Sequence, residues 1–322
     1  MNTPLVSVIV PVYGVEKYIE RCARSLFEQT LESIEYIFVD DCTPDNSIEV
    51  LKKVLEDYPH RKEQTIIYKM PKNSGQAAVR KTGVLQASGE YIIHCDSDDW
   101  VDRNMYKEMY DKAKSGDYDM VICDYYTSDG NIHNICSSRT ETDKNIILSN
   151  ILTQKIACSL CNKLVRRKCY NESFVFPTYN NGEDLAMVIQ LVVNSSSFAY
   201  IEKGFYYYYM SPNSITRNVN EENILRNCHQ ACYNAKFVSE LLVDEYDKLF
   251  ANDIVHLKYL KRNIMLSLVR KNKYYLKEWR KIFPEINSRI LFVSSLTIRE
   301  KIKFCLIFMG LYSFLLGRKK YN

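Results

Sequence analysis

The run Asp96-Ser97-Asp98-Asp99 sets three carboxylates within four residues, directly behind the apolar stretch EYIIHC (90–95). Neighbouring carboxylates repel one another, and burying them together is unfavourable unless a cation or a proton compensates. A divalent ion that also bridges phosphate oxygens would compensate, and magnesium or manganese takes such hard oxygen ligands. A solvated acidic turn capping a helix near Asp102 would leave the same residue pattern.

Other candidates lie at comparable places. Asp40-Asp41 closes the run EYIFVDD (35–41). A carboxylate there can accept a hydrogen bond from a nucleobase imide or a ribose, or simply cap the next helix. Pro11, Val12 and Tyr13 end the first apolar run, and the tyrosine ring can stack beneath a base or pack in the core. Asn73-Ser74-Gly75-Gln76-Ala77-Ala78-Val79-Arg80 has the small, polar start of a helix that can receive an anion, with Arg80 able to reach a nucleotide. Asn181-Gly182-Glu183-Asp184-Leu185 precedes an apolar helical run. A carboxylate there can act as general base toward an acceptor hydroxyl, or cap that helix.

The elements that must position these groups are readable from hydrophobic spacing. LVSVIVPVY (5–13) is a β-branched apolar run, as a buried parallel strand should be. Val15, Tyr18, Ile19, Cys22, Ala23, Leu26 and Phe27 then recur at helical spacing on one face. Further strands are predicted at 35–41, 65–70, 90–95 and 118–126, with helices from a Thr43 cap and Pro44 to about Tyr58 and over 73–87. Repeated β-α units predict an α/β fold with a mostly parallel central sheet flanked by helices, whose ligands bind beyond the carboxyl ends of the strands. The candidate residues fall at those ends. Past 143, helices are expected near 143–155 and 182–195 on either side of CNKLVRR (161–167), then a strand over 198–210 and helices from about 221 onward.

Composition narrows the class. At 322 residues, 46% hydrophobic and 25% charged, the chain is globular and long enough for a substantial domain plus an appendage. Its 25 tyrosines pair an apolar ring with a polar tip, which suits clefts as well as cores. Eleven cysteines lack a repeating spacing, and MNTPLVSVIVPVYG enters a strand without a basic leader, so a reducing, cytosolic setting with free thiols is expected. Cys158 and Cys161, with Cys169 nearby, have no fourth ligand at zinc spacing. No P-loop lysine pattern and no GxGxxG in the first βα turn appear, which counts against ATPase and dehydrogenase chemistry.

Charge is unevenly distributed. Residues 254–322 hold 16 Lys and Arg against 3 Asp and Glu, a balance of +13 that leaves −9 for residues 1–253. Within this basic region, IKFCLIFMGLYSFLL (302–316) is flanked by Arg299, Lys301 and Lys303 before and within its start, and by Arg318, Lys319 and Lys320 after it. A spanning helix needs about 20 apolar residues, so this segment reads as an interfacial helix on anionic lipid or as a helix packed on the main domain. No nucleic-acid recognition module is present.

Taken together and in this order, VSVIVPVYG, VDDCTPDNS, NSGQAAVRKTG, GEYIIHCDSDDW and GEDL resemble glycosyltransferase family 2 over roughly residues 5–215. The resemblance implies the Rossmann-like GT-A fold. It implies a catalytic domain over 1–217, with a nucleotide-sugar half at about 1–100 and an acceptor half at about 101–217. A helical region over 218–322 follows, ending in the basic tail 296–322. The implied activity is inverting transfer from a nucleotide diphosphate sugar, UDP-linked by family habit, with Mn2+ or Mg2+. The acceptor would be a hydroxyl of a lipid-linked glycan in cell-surface polysaccharide or lipopolysaccharide assembly, at the cytoplasmic face of the membrane.

By the same resemblance Tyr13 and Asp41 correspond to base-contacting residues, with Pro11 and Asp40 beside them. Asn73, Gly75 and Arg80 join the nucleotide-sugar-binding set. Asp96, next to Ser97, would contact the ribose, and Asp98 would hold the metal through the donor diphosphate with Asp99 supporting or sharing that ligation. Asp184 matches the catalytic base, with Glu183 its neighbour. CNKLVRR is similar to a WNKL-type segment with Cys161 in place of Trp, which puts Asn162 and Lys163 on the acceptor side, joined by Ser214, Thr216 and Arg217 of YYYYMSPNSITR. The processive-synthase QxxRW pattern is absent, which favours transfer of one or few sugars. A nucleotide-sugar-binding protein that keeps the fold without turnover is the alternative. A sugar-nucleotide pyrophosphorylase would carry a Gly-rich, Arg- and Lys-bearing loop after the first strand, which PVYGVEKY is not.

Overall fold

Polar alternation is absent from VSVIVPV because both faces of that strand are covered. In the computed structural model, which describes residues 3–210 and 220–311 with backbone alone at 244–247, β1 (Val6–Val12) is buried except at half-buried Pro11. Val8, Val10 and Val12 join one core with α1 (Ile19–Phe27), while Ile9 points to the other side of the sheet. β2 (Ile34–Asp40), β3 (Thr65–Lys69) and β4 (Tyr91–His94) pair in parallel, giving β3-β2-β1-β4. α2 (Ser47–Glu56) and α3 (Gln76–Gln86) complete the β-α repeats.

α2 begins later than its sequence suggests. Thr43 does not cap it: its hydroxyl accepts from the Gly14 N–H at 2.8 Å and donates to Asp45 at 2.6 Å. Asp45 in turn accepts from the Ser47 N–H, so the Thr43-Pro44 segment ties the end of β1 to the helix instead of forming its first turn.

The second half mixes strand directions. β5 (Trp100–Val101), α4 (Met105–Ser115), β6 (Met120–Ser128), β7 (His133–Cys136), α5 (Lys144–Leu152), β8 (Lys163–Arg166), α6 (Glu183–Asn194) and β9 (Phe198–Tyr209) follow in order. The sheet runs β3-β2-β1-β4-β8-β6-β9-β5, with β7 on β6. Only β6 and β9 are parallel in this half. β8, four residues of the CNKLVRR segment, enters antiparallel to both β4 and β6. The acidic residues Asp40, Asp41 and Asp96 to Asp99 stand at the carboxyl ends of β2 and β4.

Residues 1–212 and 213–322 form separate compact units. The second is helical: α7 (Glu221–Leu241), α8 (Val243–Arg262), α9 (Leu266–Lys271), α10 (Lys273–Lys281) and α11 (Ile298–Phe308). Its own core gathers Tyr259, Leu268, Trp279, Ile290, Phe304 and Ile307. All 11 cysteines are free thiols. Among the described residues, no helix is long and apolar enough to cross a membrane.

Close approach of α3 to β1 depends on Gly83, where a Cβ would lie 2.4 Å from Ile9 Cγ2. Gly83→Ala gains about 1 kcal/mol of helix propensity, but overpacking a filled interior costs about 1–3 kcal/mol. The expected outcome is a net loss of stability of up to about 2 kcal/mol in urea unfolding. An unchanged midpoint would mean that α3 can lift from β1 without penalty.

Candidate active site

The N-terminal turn of α3 is where distant acidic segments meet. Gly75 precedes it with φ of 82°, and a Cβ there would fall 2.3 Å from the Asn180 side chain, so only glycine fits. Asp41, at the end of β2, accepts from the Ser74 N–H at 2.7 Å and the Gly75 N–H at 2.8 Å. Asn180, in the loop before α6, accepts from the Ala77 N–H at 3.0 Å. Asp40 is used differently, accepting from the Thr43 N–H at 2.8 Å. Tyr13 is 48% exposed and Asn73 is exposed, while Pro11 is half-buried.

One turn further, Gln76 and Arg80 share a helix face, four residues apart. Both donate to Asp96 Oδ1, at 3.3 and 3.0 Å. The Arg80 guanidinium also lies 3.4 Å from Asp184 and 3.8 Å from Glu183, which occupy the first turn of α6. That helix start favours negative charge. Arg80 is buried. Burial works against its charge, but Asp96 and Asp184, then Cys161 and Glu183, hold its pKa well above the usual value. His94, buried beside it, is pushed well below its usual value by burial and then by Arg80, and is neutral.

The Asp96–Asp99 turn is clamped from two sides. Tyr206 of β9 accepts from the Asp96 N–H at 3.1 Å and donates to Asp99 Oδ2. The Tyr209 N–H donates to Asp99 Oδ1 at 2.6 Å, so both Asp99 oxygens are engaged by β9. Burial, Asp98 and Asp96 push the Asp99 pKa well above the carboxylate range. Arg21 of α1 donates to the Asp98 carbonyl at 2.9 Å while stacked over Trp100 at 3.7 Å and over Tyr209 at 4.7 Å. The Asp98 carboxyl is half-buried and its pKa is pushed up to about 6, by burial first and Asp96 second. Ser97 is buried within the turn. No cluster of three or more His, Cys, Asp or Glu with the geometry of a metal cage occurs among the described residues.

Other candidates are placed elsewhere. Asn162 and Lys163 are buried, and their polar atoms shape the loop before β8. Lys163 Nζ donates to the Ala157 and Ser159 carbonyls and to Asn162 Oδ1, each at 2.8 Å. Burial pushes its pKa down to about 8. Asn162 donates to the Cys123 carbonyl and to Ser138. Cys161 instead comes 3.7 Å from Asp96 Oδ2. Ser214, Thr216 and Arg217 lie outside the described residues. A cleft of about 650 Å³ lined by Lys17, Arg21, Trp100 and Arg103 borders the turn through Arg21, but Asp96, Arg80 and Asp184 are not among its walls.

Gln76, Asn180, Arg21, Tyr206 and Tyr209 were not singled out from sequence. Four consecutive tyrosines at 206–209 carry no signal for which one turns inward. Gln76 had a signal, since it stands one helical turn before Arg80.

Three carboxylates around one guanidinium leave the cluster with more negative than positive charge. Burial and then Asp184 raise the Glu183 pKa from 4.5 to about 8, with Arg80 opposing. Burial raises that of Asp184 too. Between about 4.5 and about 8 the folded chain therefore holds a proton at Glu183 that the unfolded chain has released, and stability falls as pH rises through that window. Glu183→Gln should flatten this fall in urea midpoints measured from pH 5 to pH 8; a slope equal to that of the unsubstituted chain would assign the proton elsewhere.

Residues 7–174 match the glycosyl transferase family 2 model. Over 223 residues the chain is 31% identical to the uncharacterised glycosyltransferase EpsJ of Bacillus subtilis, a match covering 66% of this chain and 63% of that one. The chain thus spans less than two thirds of that relative's length. Among solved structures it is similar to S. aureus TarS 1-349 in complex with UDP-GlcNAc, with a TM-score of 0.62 at 16% identity over 98% of this chain and 93% of that one. The mannosyltransferase PcManGT from Pyrobaculum calidifontis, in complex with GDP-Man and Mn2+, gives a TM-score of 0.59 at 13% identity over 99% and 89%. Identities this low speak for the fold. With the family match spanning more than half of its length, the chain belongs to glycosyl transferase family 2 and is a glycosyltransferase of GT-A fold.

Proposed function

We propose that the chain transfers a sugar, with inversion, from a nucleotide diphosphate sugar to a hydroxyl of a lipid-linked glycan in cell-surface polysaccharide or lipopolysaccharide assembly. UDP is the proposed nucleotide, and the cytoplasmic face of the membrane the proposed place. One observation carries this reading: Arg80 gathers Asp96, Glu183 and Asp184, from segments almost ninety residues apart, into one cluster beside the Asp98 turn. The nucleotide sugars bound to the two structural neighbours support the donor class.

A half-buried Asp98 carboxyl beside Asp96, with its pKa raised by burial and by that neighbour, is the kind of hard-oxygen group that a cation relieves. Magnesium and manganese use one or two protein carboxylates together with substrate phosphates, so the residues fit such an ion without a protein-only cage. Asp98, aided by Asp96, would hold it, and the ion would supply charge neutralisation for a departing diphosphate. Asp99 is assigned a positioning role, since its oxygens serve β9. Tyr13 and Asp41 border the proposed base site, Asp41 by fixing the 74–75 backbone.

Asp184 removes the proton of the acceptor hydroxyl, whose oxygen forms a bond to the anomeric carbon as the bond to the leaving diphosphate breaks on the opposite face. Arg80 orients Asp184, while Glu183 keeps its proton near neutral pH and leaves the anionic role to its neighbour. Arg21 acts one step away, through the Asp98 carbonyl.

A panel of nucleotide sugars with and without Mn2+ tests the donor and the metal together. Metal-dependent hydrolysis of a UDP-sugar is expected; binding without turnover would favour the non-catalytic alternative. Asp184→Asn should lower transfer on the order of 10²–10⁴-fold, as loss of a general base does, at unchanged thermal stability. Asp98→Asn should remove the metal response, and near-normal turnover in either variant would defeat that assignment. Arg21→Ala should lower turnover up to about 100-fold by loosening the turn, with donor specificity retained.

A further inference from the structure

We infer that the outward face of α11, with the turn before it, docks on a lipid surface rich in anionic headgroups. The helix has two apolar faces. Phe304 and Ile307 point inward to Tyr259 and Trp279 in the core of the C-terminal unit. Ile298, Ile302 and Met309 recur at spacings of four and seven on the other side, which makes one stripe along the helix. Ile298 is 70% exposed, Ile302 52% and Met309 58%. Phe292, just ahead of the helix, is 79% exposed, and Leu291 beside it 47%.

Such side chains on the solvent side of an already packed helix have no reason in folding, because the inner face alone anchors α11. Their register is fixed by a capping box: the Glu300 N–H donates to Thr297 Oγ1 at 3.3 Å and the Thr297 N–H to Glu300 Oε2 at 2.8 Å. Bases flank the stripe, with Arg299 and Lys303 to one side and Lys301 to the other, and none of the three forms an ion pair among the described residues. An apolar stripe bordered by basic residues is complementary to the boundary between acyl chains and anionic headgroups. At 11 residues, α11 is about 16 Å long and lies along such a boundary without crossing it. The sequence beyond, with Phe314, Leu315 and Leu316 followed by Arg318, Lys319 and Lys320, repeats the same chemistry.

The inference gives a physical basis to the membrane part of the proposed function, and its test reads separately from sugar transfer. The full chain is sedimented with phosphatidylcholine vesicles, with and without phosphatidylglycerol. Binding is expected with phosphatidylglycerol and weak without it. Phe292→Ser with Ile302→Ser, and separately Arg299→Gln with Lys301→Gln and Lys303→Gln, should each lower vesicle affinity roughly tenfold or more. Thermal unfolding and UDP-sugar hydrolysis in solution should stay unchanged. Equal binding to both vesicle types, or undiminished binding by both variants, overturns the inference. A dimer that the Phe292→Ser, Ile302→Ser variant converts to monomers, with no vesicle binding, also overturns it and assigns the face to a second copy. Intact vesicle binding without hydrolysis of any donor would instead count against the transfer reading alone.

Discussion

A guanidinium without access to water has to be matched by charge or by well-aligned acceptors, and the arrangement around Arg80 follows from that requirement. Arg80 sits in α3, yet its partners come from the end of β4 and from the start of α6. Without any of these carboxylates the guanidinium would be a buried charge lacking ionic compensation, which is unfavourable. Burying Arg80 therefore favours drawing the segments of Asp96 and of Glu183 and Asp184 toward α3. One buried cation thus links three segments that are distant in sequence.

The Asp96–Asp99 turn divides its three acids among different tasks. Asp96 faces Gln76 and Arg80, Asp99 faces inward to β9, and Asp98 is held chiefly by its backbone. Acids this close raise one another's pKa, and the directions at Asp98 and Asp99 reflect that mutual repulsion together with burial. Tyr206 stabilises the arrangement by serving as acceptor for one end of the turn and donor to the other. One phenol therefore ties the backbone at Asp96 to the Asp99 carboxylate.

Hydrophobic spacing revealed the first four strands, α1 and the positions of the acidic motifs at strand ends; in β1, β2 and β4 burial on both faces leaves an unbroken apolar run, while β3 is partly exposed. It did not reveal β8, whose four residues pair antiparallel with both β4 and β6, a tertiary pairing that spacing within the segment does not encode. The start of α2 was misplaced because Thr43 found a partner in Gly14, a long-range contact that local capping preference cannot anticipate. Asp99 reads like a ligand and points into the protein. Asn162 and Lys163, which the resemblance puts on the acceptor side, are buried, with backbone carbonyls as partners. In each case a tertiary hydrogen-bond partner, invisible to spacing, decided where the side chain went. Of the last apolar segment, the described part within α11 packs Phe304 and Ile307 into the C-terminal unit's own core and exposes Ile302 and Met309.

Two other buried arginines show that the acids around Arg80 exceed what its charge alone requires. Arg61 is satisfied by four backbone carbonyls, those of Phe27, Gln29, Leu31 and Glu32, with Gln64 as a further acceptor. Arg262 lies 3.9 Å over the Trp279 ring and donates to the Ile282 carbonyl and to Asn287, while burial brings its pKa down to about 10. Neutral partners therefore suffice for this fold to bury a guanidinium. Around Arg80 the same task is given to three carboxylates, and burial first, then repulsion from neighbouring acids, raises the pKa of Glu183 and Asp184. A surplus of buried negative charge is costly to folding, and the proposed reaction, with Asp184 receiving a proton and Asp98 holding a cation, would account for it.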